Sequence, residues 1–214
     1  MPGDASAREI KMPSGLSIVV SEATKRRLID VLRSPSAQKI DFYLGYLHVN
    51  GVGYGAVADA VSNNSIGFRF GKVPAGAAAG FDAVDKVFDF PAGRIYGSNL
   101  VEQALALHEA THAAKWLIYR KAGIIENDTQ DEAAAYLAST LYLMDNSSDW
   151  PPGGNLVYLE ASRIAGSLLN KKGAIVPAHD EARLRSFVAL RPIYSKIGVT
   201  YNSTVYVPRK GWFD

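Results

Sequence analysis

The chain has 214 residues, no cysteine, and 23 basic against 21 acidic side chains, a formal net charge of +2. That length suits one domain burying about 70% of its unfolded surface, and the missing cysteines exclude disulfides and thiolate metal sites, leaving nitrogen and oxygen ligands. Near-balanced charge, with scattered basic residues and no basic run longer than Lys25-Arg26-Arg27, gives nucleic-acid binding no support, and no run approaches the roughly 18 apolar residues of a membrane span.

Residues 1–14 read as a flexible lead without the apolar segment of a secretory signal, so a cytoplasmic location is expected, with signal-independent export as the other route. "GLSIVV" then reads as a short strand, and "SEATKRRLIDVLRS" as an amphipathic helix capped by Ser21. "KIDFYLGYLHV" is rich in aromatic and branched residues and reads as strand up to the turn signal Asn50-Gly51. His48 lies on it, and a lone histidine there reads as a sheet residue rather than a ligand. "GAVADAV" reads as a short helix, "IGFRFGKV" as a strand, "PAGAAAG" as a flexible loop, and "FDAVDKVFDFP" as a hairpin whose second arm, Lys86 to Phe90, stops at Pro91.

From Asn99 onward the pattern turns helical. Asn99 caps a long helix, Glu102 completes a capping box, and Gly123 is placed to end it after Arg120 and Lys121. Almost every face between Val101 and Ile118 is apolar, so this helix is expected in the middle of the domain. Further helices are expected near Thr129–Met144, Leu156–Asn170 and Asp180–Leu190, with the alternating tail "VTYNSTVYVP" adding a strand. A sheet-rich part over 15–95 followed by a helical part over 99–214 makes the fold class α+β: a mixed sheet with short helices packed on helices, in a single domain.

The central helix carries "LALHEATHAAKW". The chain has only 4 histidines, and two of them, His108 and His112, stand one helical turn apart on one face. Such a pair is a preformed two-nitrogen site, and Glu109 sits about 100° round the helix, where a carboxylate can hold water without ligating. This is the H-E-x-x-H arrangement. A catalytic zinc wants a third protein ligand and an open position. No histidine follows at metzincin spacing, so the third ligand is sought among Glu126, Asp128, Asp131 and Glu132. Glu132 is favoured, because a second helix beginning there can turn back on the first, and Ala133, Ala134, Ala135 and Ala138 let the two approach closely. The competing reading makes Thr129 and Glu132 a capping box, Asp128 a cap and Asp131 a solvated acid of the first turn.

With "HEATH" and "DEAAAY" in place, the chain resembles the gluzincin branch of zinc metallopeptidases, and its alanine-rich second helix running to "LYLM" is similar to that of small intracellular peptidases that cleave phage repressors. The resemblance covers residues 100–144. It implies a zincin-like domain in which His108, His112 and Glu132 hold Zn2+, Glu109 is the general base, and a peptide or protein is hydrolysed. One departure is Tyr136, which stands where thermolysin-like members carry an acid that orients a zinc histidine. Substrates of such enzymes lie along an edge strand, for which "KVFDF" is the candidate, and Tyr136, His179, Tyr201 and Tyr206 are candidate donors to the oxyanion. The other class of function is an inactive zincin-like binding or scaffold protein whose metal is structural or absent.

Overall fold

The computed structural model describes residues 14–73, 78–92, 96–119, 128–147 and 155–190; for 14–21 and 128 it describes the backbone alone. In chain order the elements are α1 (Ser14–Leu32), α2 (Pro35–Lys39), β1 (Asp41–Leu44), β2 (Leu47–Asn50), α3 (Gly51–Ser62), β3 (Gly67–Phe70), β4 (Gly80–Asp82), β5 (Val87–Phe90), α4 (Leu100–Tyr119), α5 (Asp128–Asn146), α6 (Leu156–Leu168), β6 (Ala174–Ile175) and α7 (Ala178–Ala189). The class is α+β. Two small mixed sheets, ordered β2-β1-β6 and β3-β5-β4, flank a helical body. No helix among the described residues is long and apolar enough to cross a membrane.

The first expectation to be corrected is the strand at "GLSIVV", which is the opening of α1, with Ser21 inside the helix rather than capping it. A run of six apolar and small residues fits either state, and the helix continues unbroken from there to Leu32. The strand "KIDFYLGYLHV" is in fact a hairpin, with Leu44 opposite Leu47 across a two-residue turn. Gly45 opens that turn at φ +57°, as a II′-type hairpin turn asks of its first central residue. Asn50-Gly51 is no turn. Asn50 caps α3, accepting from the Gly53 N–H at 2.9 Å.

The hairpin at "FDAVDKVFDF" forms as expected, β4 running antiparallel to β5 with Phe81 opposite Phe88. Its second arm, however, is the centre of the sheet, because β3 pairs in parallel on its other side. The edge next to α4 is β4. Arg69 on β3 ties this sheet together, reaching Asp89 at 2.6 Å, Asp85 at 2.6 Å and Asp82 at 3.0 Å.

α4 is enclosed by α1, α3, α5, β2 and β4, and α5 is its most extensive neighbour. Its start follows the expected cap: Asn99 Oδ1 accepts from the Glu102 N–H at 2.9 Å, while the Glu102 carboxylate reaches back to the N–H groups of Gly97 and Ser98. The expected stop at Gly123 lies outside the described residues, as do the tail from 199 onward and the first four residues of "PAGAAAG". Small residues set the spacing. Ala106, Ala110 and Ala113 on α4 and Ala133, Ala134 and Ala138 on α5 are fully or almost fully buried, and a Cβ on Gly53 of α3 would stand 3.3 Å from that of Ala114. The first turn of α5 is anchored to the hairpin by Gln130, which donates to the Leu44 carbonyl at 2.9 Å, in space that a Cβ at Gly45 would occupy.

Candidate metal centre

Because α4 is surrounded, the residues at its middle are taken out of water: His108 and Glu109 are 0% exposed, and His112 8%. α5 brings Glu132, 5% exposed, against the same spot. The ligand atoms of His108, His112 and Glu132 all lie within 4.8 Å of one another. Glu132 Oε2 stands 3.3 Å from His108 Nε2, and Oε1 stands 3.7 Å from His112 Nε2. A tetrahedral zinc with bonds of about 2.1 Å separates its ligands by about 3.4 Å; the Glu132 carboxylate stands within a few tenths of an ångström of that separation from each imidazole, and the group could hold one ion.

The polar bookkeeping points the same way. His112 Nε2, Glu132 Oε2 and both carboxylate oxygens of Glu109 are buried without a well-formed hydrogen bond. Leaving such groups unsatisfied costs roughly 1–3 kcal/mol each, more where charge is involved. A cation among them removes much of that cost, and two imidazoles with one carboxylate are a donor set suited to zinc.

Protonation in the metal-free chain follows from burial and neighbours. Burial pushes the His108 imidazole down to about 4 against the pull of Glu132, so it is neutral at pH 7. Burial acts on His112 in the same sense, but Asp131 and Glu132 outweigh it and push the ring up to about 10. Glu132 opposes its own burial through His112 and His108 and is held below the usual carboxylate range. Glu109 is pushed well up by burial, with Glu132 and Asp131 adding to the effect and His112 opposing it. The Phe81 N–H of β4 also opposes it, from a position short of a full hydrogen bond.

The structure therefore brings together His108, Glu109, His112 and Glu132, and the capping-box reading of Glu132 does not hold. Thr129 instead lies within α5, where its hydroxyl accepts from Arg185 at 3.3 Å. Asp131 is neither a solvated acid nor a candidate third ligand. Its Oδ2 stands 2.9 Å from His112 Nδ1 and 2.6 Å from Lys115 Nζ, and these cations hold its carboxyl well below the usual range despite burial. The side chains of Glu126 and Asp128 lie outside the described residues.

Tyr136 is buried with its ring edge-on to His108, centroids 4.7 Å apart, and is backed by Tyr158 of α6 at 5.2 Å. His179 is not at the centre. Its side chain is 80% exposed at the start of α7, 3.1 Å from Asp180, because it stands one position off the buried stripe Asp180, Leu184 and Val188. Tyr201 and Tyr206 are outside the described residues. His48 is the sheet residue expected, stacked on Tyr43 at 4.1 Å and 2.8 Å from Asp41. Trp116 packs edge-on against Phe81, and Tyr119 accepts from the His48 N–H at 2.9 Å, so both act in packing. Sequence reasoning missed Lys115 and the Phe81 N–H. A lysine three residues after His112 in a helix apolar on every face was the available signal for the first, since lysine is seldom buried without a partner.

No known family model, curated protein or solved structure matches this chain. The functional reading rests on the centre itself.

Proposed function

We propose that the protein is a zinc-dependent peptidase of gluzincin type, with His108, His112 and Glu132 as the metal ligands and Glu109 as general base. The observation that carries the reading is the convergence of three spaced donor atoms beside a fourth, buried carboxylate that is not needed to complete the ligand set. Zinc, when bound, lowers the pKa of its water towards neutrality and polarises the carbonyl to be attacked. Glu109 takes the proton of the attacking water and gives it to the departing amine, so one water and one peptide bond become a carboxylic acid and an amine. β4, hydrogen-bonded on one side only among the described residues and passing Glu109 at Phe81, is the edge along which an extended peptide would add, in place of the β5 edge expected from sequence. Of the oxyanion donors suggested by the sequence and described in the structure, Tyr136 is brought to the centre and His179 is not.

A second reading has an observation of its own. Glu109 and His108 are completely enclosed, as in a structural metal site that holds helices together and admits no substrate. Glu109→Gln separates the two. We expect zinc-loaded wild type to cleave a denatured or peptide-library substrate and Glu109→Gln to retain zinc while losing at least about 100-fold in kcat, the scale of general-base removal. Zinc-loaded wild type that cleaves nothing in such a library would favour the structural site.

A further inference from the structure

We infer that Asp131 and Lys115 are a positioning pair that aims the Nε2 of His112 at the metal; the inference rests on the metal-centre reading above. An imidazole offers either nitrogen to a metal, and the choice is made by what the other nitrogen bonds to. Here the Nδ1–H of His112 donates to Asp131 Oδ2 at 2.9 Å. That leaves Nε2 on the side of Glu132 Oε1, 3.7 Å away.

Asp131 is itself fixed. Lys115 Nζ stands 2.6 Å from the same oxygen, and the lysine, 9% exposed, is held there by the packing of α4. Lys115 lies three residues after His112 and thus on the same helix face, and Asp131 immediately precedes Glu132. One turn of α5 therefore delivers both a ligand and the group that orients another ligand, while one turn of α4 delivers the imidazole and the cation that steadies its acceptor. Lys115 also offsets one of the three carboxylates, Glu109, Asp131 and Glu132, that crowd the centre.

The test is zinc affinity, by competition with a chromophoric chelator, for wild type, Asp131→Ala, Asp131→Asn and Lys115→Met, with the thermal stability of each metal-free protein measured alongside. Asp131→Ala should bind zinc about 10- to 100-fold more weakly, the scale on which such orienting groups act. Asp131→Asn should lose less, because its amide oxygen still accepts from Nδ1–H, and Lys115→Met should fall between it and wild type. A role in packing alone would lower metal-free stability and leave the affinity of Asp131→Ala within about two-fold of wild type, which would overturn the inference. Should the variants not fold, the 15N resonances of His112 in zinc-loaded wild type decide: a protonated Nδ1 with metal on Nε2 supports the inference, and metal on Nδ1 overturns it. Wild type that binds no zinc removes the metal centre and this inference together, whereas zinc-binding wild type with an unaffected Asp131→Ala removes only the inference.

Discussion

Replacing Glu132 by alanine removes the only carboxylate among the three donors and leaves both histidines and the Asp131–Lys115 pair in place. A structural zinc contributes about 10–16 kcal/mol over its complete ligand set, so one ligand of four carries roughly 3–4 kcal/mol. Water entering the space left by the side chain recovers part of this, so the net loss should be about 3 kcal/mol. At about 1.4 kcal/mol per decade, that is a roughly 100-fold rise in the Kd for zinc. The assay is competition against a chelator of known affinity, with the rise in Tm on adding zinc as a second readout, since the stabilisation follows RT ln(1 + [Zn]/Kd). Zinc affinity within about three-fold of wild type in a folded Glu132→Ala protein would show that the carboxylate is not a ligand and that the spacing of donors has been misread.

Three further outcomes are expected. Arg69→Met should lower stability by about 3–5 kcal/mol, because it strands Asp82 and Asp89, 2% and 1% exposed, without their shared cation; a loss below about 1 kcal/mol in chemical denaturation would refute this. Zinc uptake at pH 7 should release about one proton or more, because His112, pushed up to about 10, must lose the proton on Nε2 to bind, while His108, down at about 4, has none to lose; calorimetry in buffers of different ionisation enthalpy would detect it, and zero release would contradict the assignment. The charge on His112 stabilises the metal-free fold fully below its unfolded pKa of about 6.5 and progressively less as pH rises towards 10, so the gap in Tm between zinc-loaded and metal-free protein should widen from pH 6 to pH 8. A gap that narrows over that range would argue against it.

The parts of this molecule that were legible in its sequence are those specified by local chemistry. Asn99 capping α4, Pro91 closing the second hairpin arm, and the one-turn spacing of His108 and His112 are decided within a few residues, and all appear where the sequence puts them. Glu132 could be reached only by supposing that two alanine-rich helices pack together, which α4 and α5 do. What was not legible depends on partners distant in sequence. "GLSIVV" satisfies strand and helix patterns equally and is helical as the start of a 19-residue run. β5 reads as an edge until β3, some 20 residues earlier, takes its other side. Asp131 reads as a surface acid until Lys115 and His112 of α4 are set against it. Tyr136, four residues after Glu132, lies edge-on to His108, and the carboxylate beside His112 Nδ1 belongs instead to Asp131, the residue before Glu132.

The most direct test of the account is elemental analysis of the purified chain after exposure to excess zinc and exhaustive dialysis, beside a His108→Ala, His112→Ala double variant. The account predicts about one zinc per wild-type chain, as one tetrahedral site provides, and none in the variant. Wild-type protein that is folded and holds no zinc, or a variant that keeps a full equivalent, would contradict it.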